Sequence, residues 1–226
     1  MIWRLRIFGG RLLHFLLSWP KRLLRFCFWT LVINSPRGKH SFYRWCAGVI
    51  LLITDLTPVS LLYETIMDFI KTRSRTMSAE EISIARSVFG ENLPLQLVSM
   101  DTSSWPVLKR KATAYVSFHT INFDQSLPPS TLIHELVHIW QYERYGSVYI
   151  SEAIWAQQWG EGYDYGGLGA LEQYTQGKGL HAFNFEQQAD IIEDYFRWKS
   201  GLPLQWAHNM PGIGAVLEKY KNDLNG

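Results

Sequence analysis

The run His134-Glu135-Leu136-Val137-His138 constrains the fold of this chain more than any other stretch. Residues four apart share a face on a helix, so both imidazoles can reach one ion. Glu135, one step round, can take a proton from a water held in the ion's open position. Leu136 and Val137 then turn toward a core. An ordinary amphipathic helix with two incidental histidines would offer salt-bridge partners around its polar face, whereas Thr131-Leu132-Ile133 and Ile139-Trp140 leave this segment mostly apolar apart from the motif. A glutamate buried between two imidazoles is costly without a cation or hydrogen-bonded partners. Pro128-Pro129-Ser130 sets the helix start and Gly146 its end near Tyr145. The expectation is one zinc ion per chain, held on this helix.

A hydrolytic zinc needs three protein groups and a water. A histidine supplied by an immediate Gly-x-x-His continuation is excluded, because the corresponding positions are Gln141 and Arg144. Further on, Glu186 and Asp190 lie one turn apart on a segment that reads as a helix to Trp198, with Phe185, Ala189, Ile192 and Phe196 as its buried stripe. The competing reading is a solvated acidic face with Glu193 and Arg197 as an i,i+4 pair. Asp164, in Gly162-Tyr163-Asp164-Tyr165-Gly166, is the alternative carboxylate ligand, although the Gly-Thr-x-Asp pattern of aspartate-type zincins is missing.

These two motifs resemble those of the gluzincins, the thermolysin-like zinc peptidases with His-Glu-x-x-His on one helix and Glu-x-x-x-Asp on a later one. The resemblance implies that His134, His138 and Glu186 are metal ligands, that Glu135 is the general base, and that Asp190 orients a ligand imidazole. Ser-Val-Phe-Gly at 87–90, Ile-His-Glu-Leu-Val-His-Ile-Trp-Gln at 133–141 and Glu-Gln-Gln-Ala-Asp at 186–190 are also similar to bacterial zincin-like proteins, some associated with contractile secretion systems. A peptidase further needs a donor for the developing oxyanion. Tyr163, Tyr165, Tyr195 and His208 are the candidates, with His181 behind them. His119, read on a strand, is a weak candidate for lining a cleft. Trp155, Trp159 and Trp198 fit a hydrophobic subsite less well than plain packing.

The rest of the chain divides by charge. The first 54 residues hold nine basic side chains and no acid, although the whole chain is only +2. That basic part is rich in Leu, Phe and Trp, a combination that favours anionic lipid over nucleic acid. Residues 1–28 read as a basic interfacial helix, bent at Pro20. Phe42 to Tyr63 is long enough to span a bilayer, but Asp55 near its middle is expensive there, which favours in-plane or re-entrant anchoring over a true span, with partial release by salt or carbonate. The alternative is a soluble helical subdomain. Only Cys27 and Cys46 are present, both in this part, so a disulfide framework and cysteine-based zinc binding are excluded from the remainder.

The expected organisation is a basic hydrophobic helical membrane-associating region over 1–70, a linker at 71–77, and a small α+β zincin-like domain over 78–226. In that domain Ser78-Ala79-Glu80-Glu81 forms a capping box opening a helix that stops at Gly90. Strands are expected at 95–100 and 114–123. The function expected is that of a zinc metallopeptidase acting on peptide or protein at the inner membrane of a bacterium, bound to anionic lipid through residues 1–63. The alternatives are a non-enzymatic, zinc-stabilised secretion or envelope component, and an amidase acting on peptidoglycan-type cross-links.

Overall fold

The computed structural model describes residues 2–31, 39–102, 114–159, 162–174, 179–207 and 211–225. Three helices come first: α1 (Ile2–Leu31), α2 (Lys39–Leu56) and α3 (Val59–Ile70). β1 (Ser74–Thr76) and α4 (Ala79–Phe89) follow, then β2 (Ser99–Asp101), β3 (Ala114–Ser117) and β4 (Thr120–Phe123). The remainder is helical: α5 (Pro129–Tyr145), α6 (Val148–Trp159), α7 (Gly167–Tyr174), α8 (Phe185–Lys199) and α9 (Ile213–Asn222). The class is α+β, with a mixed sheet of order β1-β2-β4-β3 in which only the β2–β4 pair is parallel.

The chain forms two compact units, and although one boundary falls between Met77 and Ser78, each unit is built from three separated stretches. One comprises Met1–Met77, Leu95–Gln125 and Gln141–Ser151; the other comprises Ser78–Pro94, Ser126–Trp140 and Glu152–Gly226. The expected linker instead contributes β1, which pairs antiparallel with β2. The strands read as part of the zinc domain all group with the N-terminal helices.

Side chains explain that grouping. On α1, Arg11 is buried and donates from Nη1 to Asp68 on α3 at 2.7 Å, from Nε to the Leu97 carbonyl at 3.1 Å, and from Nη2 to Ser99 on β2 at 3.0 Å. Just past α3, Lys71 Nζ lies 2.7 Å from Asp101 on β2 and also donates to Asn122 on β4. Asp55 accepts from both the backbone N–H (2.7 Å) and the hydroxyl of Ser147. The close approach leaves no space beside it: a Cβ on Gly146, which sits at φ 74°, would lie 2.2 Å from the Asp55 carboxylate. α1 itself continues as one helix with Pro20 inside it.

Two further expectations are refined. The stretch 114–123 is a hairpin rather than one strand, turning at Phe118, whose φ is 57°, and His119. Only the end of 95–100 is strand, because Leu95–Leu97 forms a 3-10 turn.

In the second unit the sequence signals for helix ends hold. Ser78 and Glu81 form both arms of the capping box that starts α4, and Gly90 at φ 58° follows its end. α8 and α9 pack through a glycine: a Cβ on Gly214 would lie 2.0 Å from the Trp198 ring. Trp140 Nε1 donates to the Leu224 carbonyl at 3.2 Å, fixing the C-terminal turn on α5.

Candidate metal centre

Three side chains converge from two helices of the second unit. His134 and His138 stand one turn apart on α5 with ring centroids 5.0 Å apart. Glu186 lies in the first turn of α8, whose start is fixed by Asn184: its side-chain oxygen accepts from the backbone N–H groups of Glu186 (3.0 Å) and Gln187 (2.9 Å). A carboxylate in a first turn also gains from the positive end of the helix. His134 Nε2 lies 3.5 Å and His138 Nε2 3.6 Å from Glu186 Oε2. All three residues are buried.

These separations are long for hydrogen bonds and short for unrelated groups. Two donors each about 2.0–2.1 Å from one tetrahedral ion lie about 3.4 Å apart, which the observed spacing matches. Glu186 Oε2 and Glu135 Oε2 are both buried and find no hydrogen-bond partner among the described residues. Buried carboxylate oxygens left in that state are costly. A cation on the first and a water on the second would satisfy both, so the residues present fit a zinc ion. Gln157 donates to the other oxygen of Glu186 at 2.8 Å, leaving Oε2 to point at the imidazoles.

The surroundings orient the His134 imidazole. Asp190, one turn after Glu186, accepts from His134 Nδ1 at 2.8 Å, so in the neutral imidazole Nε2 carries the lone pair. Trp206 Nε1 holds the other Asp190 oxygen at 2.6 Å. Trp206 is itself placed by Asp194, which is fully buried and accepts from the backbone N–H groups of Gln205 (2.6 Å), Trp206 (3.1 Å) and Ala207 (3.3 Å). Glu193 approaches His134 Nδ1 at 3.4 Å and pairs with Arg197 at 3.0 Å.

Electrostatics follow from this crowding of acids. Burial works against ionisation of Glu186, but the His138 and His134 imidazoles outweigh it and hold the carboxyl well below the usual range. Burial lowers His134, and Asp190, Glu186 and Glu193 more than reverse that, holding it well above its ordinary value. This excess of negative charge is what a divalent cation would neutralise. Burial raises Glu135, which makes its carboxylate a stronger base.

The other residues singled out in the sequence separate clearly. Asp164 is exposed, accepts the Gly166 N–H at 2.8 Å, and belongs to none of the ligand groups found among the described residues. The acidic row Glu186, Asp190 and Glu193 is buried, which removes the solvated-face reading. Tyr165 donates to Asp194 at 2.6 Å, and Tyr195 to Glu218 at 3.4 Å. His208 lies outside the described residues, as does the side chain of Trp159. The Tyr163 ring packs 6.1 Å from the His134 ring, and burial and Glu186 both raise its hydroxyl, so it keeps its proton. His119 is not on a strand lining a cleft. It is buried in the hairpin turn of the other unit, with Nδ1 3.3 Å from Glu64 and Nε2 2.8 Å from Glu143.

Sequence reasoning missed four contributors. Glu193 was legible, since 186, 190 and 193 fall on one helical stripe, but its pairing with Arg197 drew attention to the surface. Gln157, Asp194 and Trp206 carry no local signal.

No family model matches the chain, and no solved structure does. Over 141 residues, 56% of this chain, it is 28% identical to the type VI secretion system spike protein VgrG2b of Pseudomonas aeruginosa. The matched segment is 13% of that protein's length.

Proposed function

We propose that this chain is a zinc-dependent hydrolase of peptide bonds, of gluzincin type. The observation that carries the reading is the convergence of His134, His138 and Glu186 on one buried point, beside an unpartnered Glu135 oxygen. Bound there, zinc would act as a Lewis acid toward a carbonyl and lower the pKa of its water to about 7. Glu135 would be the group that takes a proton from the attacking water and returns it to the leaving amine, a role that its raised pKa suits. Asp190 and Trp206 fix the His134 tautomer. Tyr163, protonated at neutral pH and packed against His134, is the donor for the developing oxyanion.

The similarity to a spike protein supports a role alongside a type VI secretion system. It also keeps a second reading in play, a zinc-stabilised component of that machinery with no catalysis. An amidase acting on peptidoglycan-type cross-links would use the same residues on a different amide.

Metal analysis of purified full-length protein should find about one zinc per chain, and His134→Ala with His138→Ala should abolish it. Stoichiometric zinc in that double variant would sink the metal site. Glu135→Gln should keep zinc and lose about 10²- to 10⁴-fold in hydrolysis of an unfolded protein substrate. Zinc without hydrolysis in the wild type, on protein and on peptidoglycan fragments alike, favours the non-catalytic reading. Full zinc retention by Glu186→Ala alongside its loss in Asp164→Ala would replace the third ligand.

A further inference from the structure

Helices α1 to α3 are built inside out. On α1 the buried positions Ile7, Arg11, Phe15 and Arg22 repeat at helical intervals, so two guanidinium groups point inward. The neighbouring faces expose leucine, with Leu13 58%, Leu17 72% and Leu24 70% accessible. On α3 the buried stripe is Ser60, Leu61, Glu64 and Asp68, while Leu62, Ile66, Phe69 and Ile70 are exposed. α2 buries Asp55 and exposes Phe42, Ile50 and Ile53. All but three of the exposed large apolar side chains among the described residues, Ile154, Trp198 and Leu202, lie between Ile2 and Ile70.

In water the exposed apolar faces are unfavourable, because apolar surface this extensive belongs to faces that something covers. In a lipid layer it is favourable, because ionisable groups then face the protein interior and pair there. No single described helix is long and apolar enough to cross a membrane, but Phe42–Leu56 and Val59–Ile70, bent by 75°, pass that test as a pair. A core helix of a soluble protein can pass it too, yet would bury the apolar face that α3 exposes.

Charge selects the kind of lipid. The acids of the first 70 residues are Asp55, Glu64 and Asp68, and all three are buried. Arg6, Lys21 and Arg44 remain exposed. The outward charge of the described part is therefore basic, complementary to anionic headgroups.

We propose that α1 to α3 are embedded in an anionic lipid bilayer, their outward apolar faces against acyl chains, their acids with Arg11 and Arg22 sealed inside, and the exposed Arg6, Lys21 and Arg44 available to headgroups. The proposal is independent of the zinc reading. It reverses the sequence-based expectation of partial release by salt or carbonate: Asp55, held by Ser147, does not face lipid, so its insertion cost does not arise.

The test is flotation of full-length protein with vesicles of phosphatidylethanolamine and phosphatidylglycerol. The protein should float, resist 1 M salt and carbonate, and bind pure phosphatidylcholine vesicles at least tenfold more weakly. Replacing Leu13, Leu17 and Leu24 together with Asp should abolish flotation while circular dichroism shows unchanged helix content. The wild-type arms decide the question even if that variant fails to fold. Release by salt or carbonate overturns embedding, and equal binding to neutral vesicles overturns the anionic surface. A monomer that stays soluble overturns the proposal, as does a soluble dimer or larger assembly, which would mean that a second copy covers this face.

Discussion

Each compact unit holds a cluster of histidines and carboxylates, but the two clusters balance differently. In the unit containing the sheet, Arg11, His14 and His119 meet Glu64, Asp68 and Glu143, with contacts of 2.7 Å from Arg11 to Asp68 and 2.8 Å from His119 to Glu143. His14, His119 and Glu143 also lie close enough to hold an ion, yet both His119 nitrogens are already matched by carboxylates. In the other unit, Glu135, Glu186, Asp190 and Glu193 face two imidazoles and Arg197, and Arg197 answers Glu193 alone. The first cluster is a set of internal ion pairs that organises a fold. The second has negative charge to spare around a point that two imidazoles also face, a balance that a cation would restore. Similar residue types thus separate into a paired scaffold and a candidate site by charge balance, not by composition.

Three measurements sharpen or break this contrast. The largest effect is expected from Arg11→Met, which leaves Asp68 and Glu64 buried without their guanidinium. Denaturation in one detergent should show a loss of about 3 to 5 kcal/mol, the usual cost of removing one partner of a buried pair. Zinc content should not change. If the loss is below about 1 kcal/mol, the cluster is not the scaffold described.

Next in size is a pH effect confined to the sheet-containing unit. Burial lowers His119, but Glu64 and Glu143 outweigh it and push the imidazole up to about 9, against about 6.5 unfolded. Because the folded state holds the proton more tightly, this contribution is complete below pH 6.5 and disappears as pH rises through about 9. It amounts to roughly 3 kcal/mol at most. His119→Gln should remove that part of the pH dependence, and a variant with the wild-type profile would show that the imidazole is not the group responsible.

The smallest effect belongs to the other cluster. If the aspartate orients His134 and does not bind the ion, Asp190→Ala should weaken zinc affinity by about 10- to 100-fold without emptying the site. Unchanged affinity would leave Glu193, at 3.4 Å from the same nitrogen, as the sufficient partner.

What the sequence determined by itself is local. His134 and His138 on one helix, the capping box at Ser78 and Glu81, and the Glu186–Asp190 pair on a later helix all follow from spacing, because a helical period fixes which side chains share a face. The excess of basic and apolar residues in the first 54 positions is equally plain. Tertiary structure alone decided what those residues meet. That residues 95–125 group with the first helices, that Arg11 and Asp55 point inward, and that Asp194 carries Trp206 to Asp190 all rest on contacts between distant positions. A buried charge reads in sequence like an exposed one. Its partner, which decides whether burial is tolerable, lies 57 residues away for Arg11 and Asp68 and 92 for Asp55 and Ser147, beyond the reach of any periodic pattern.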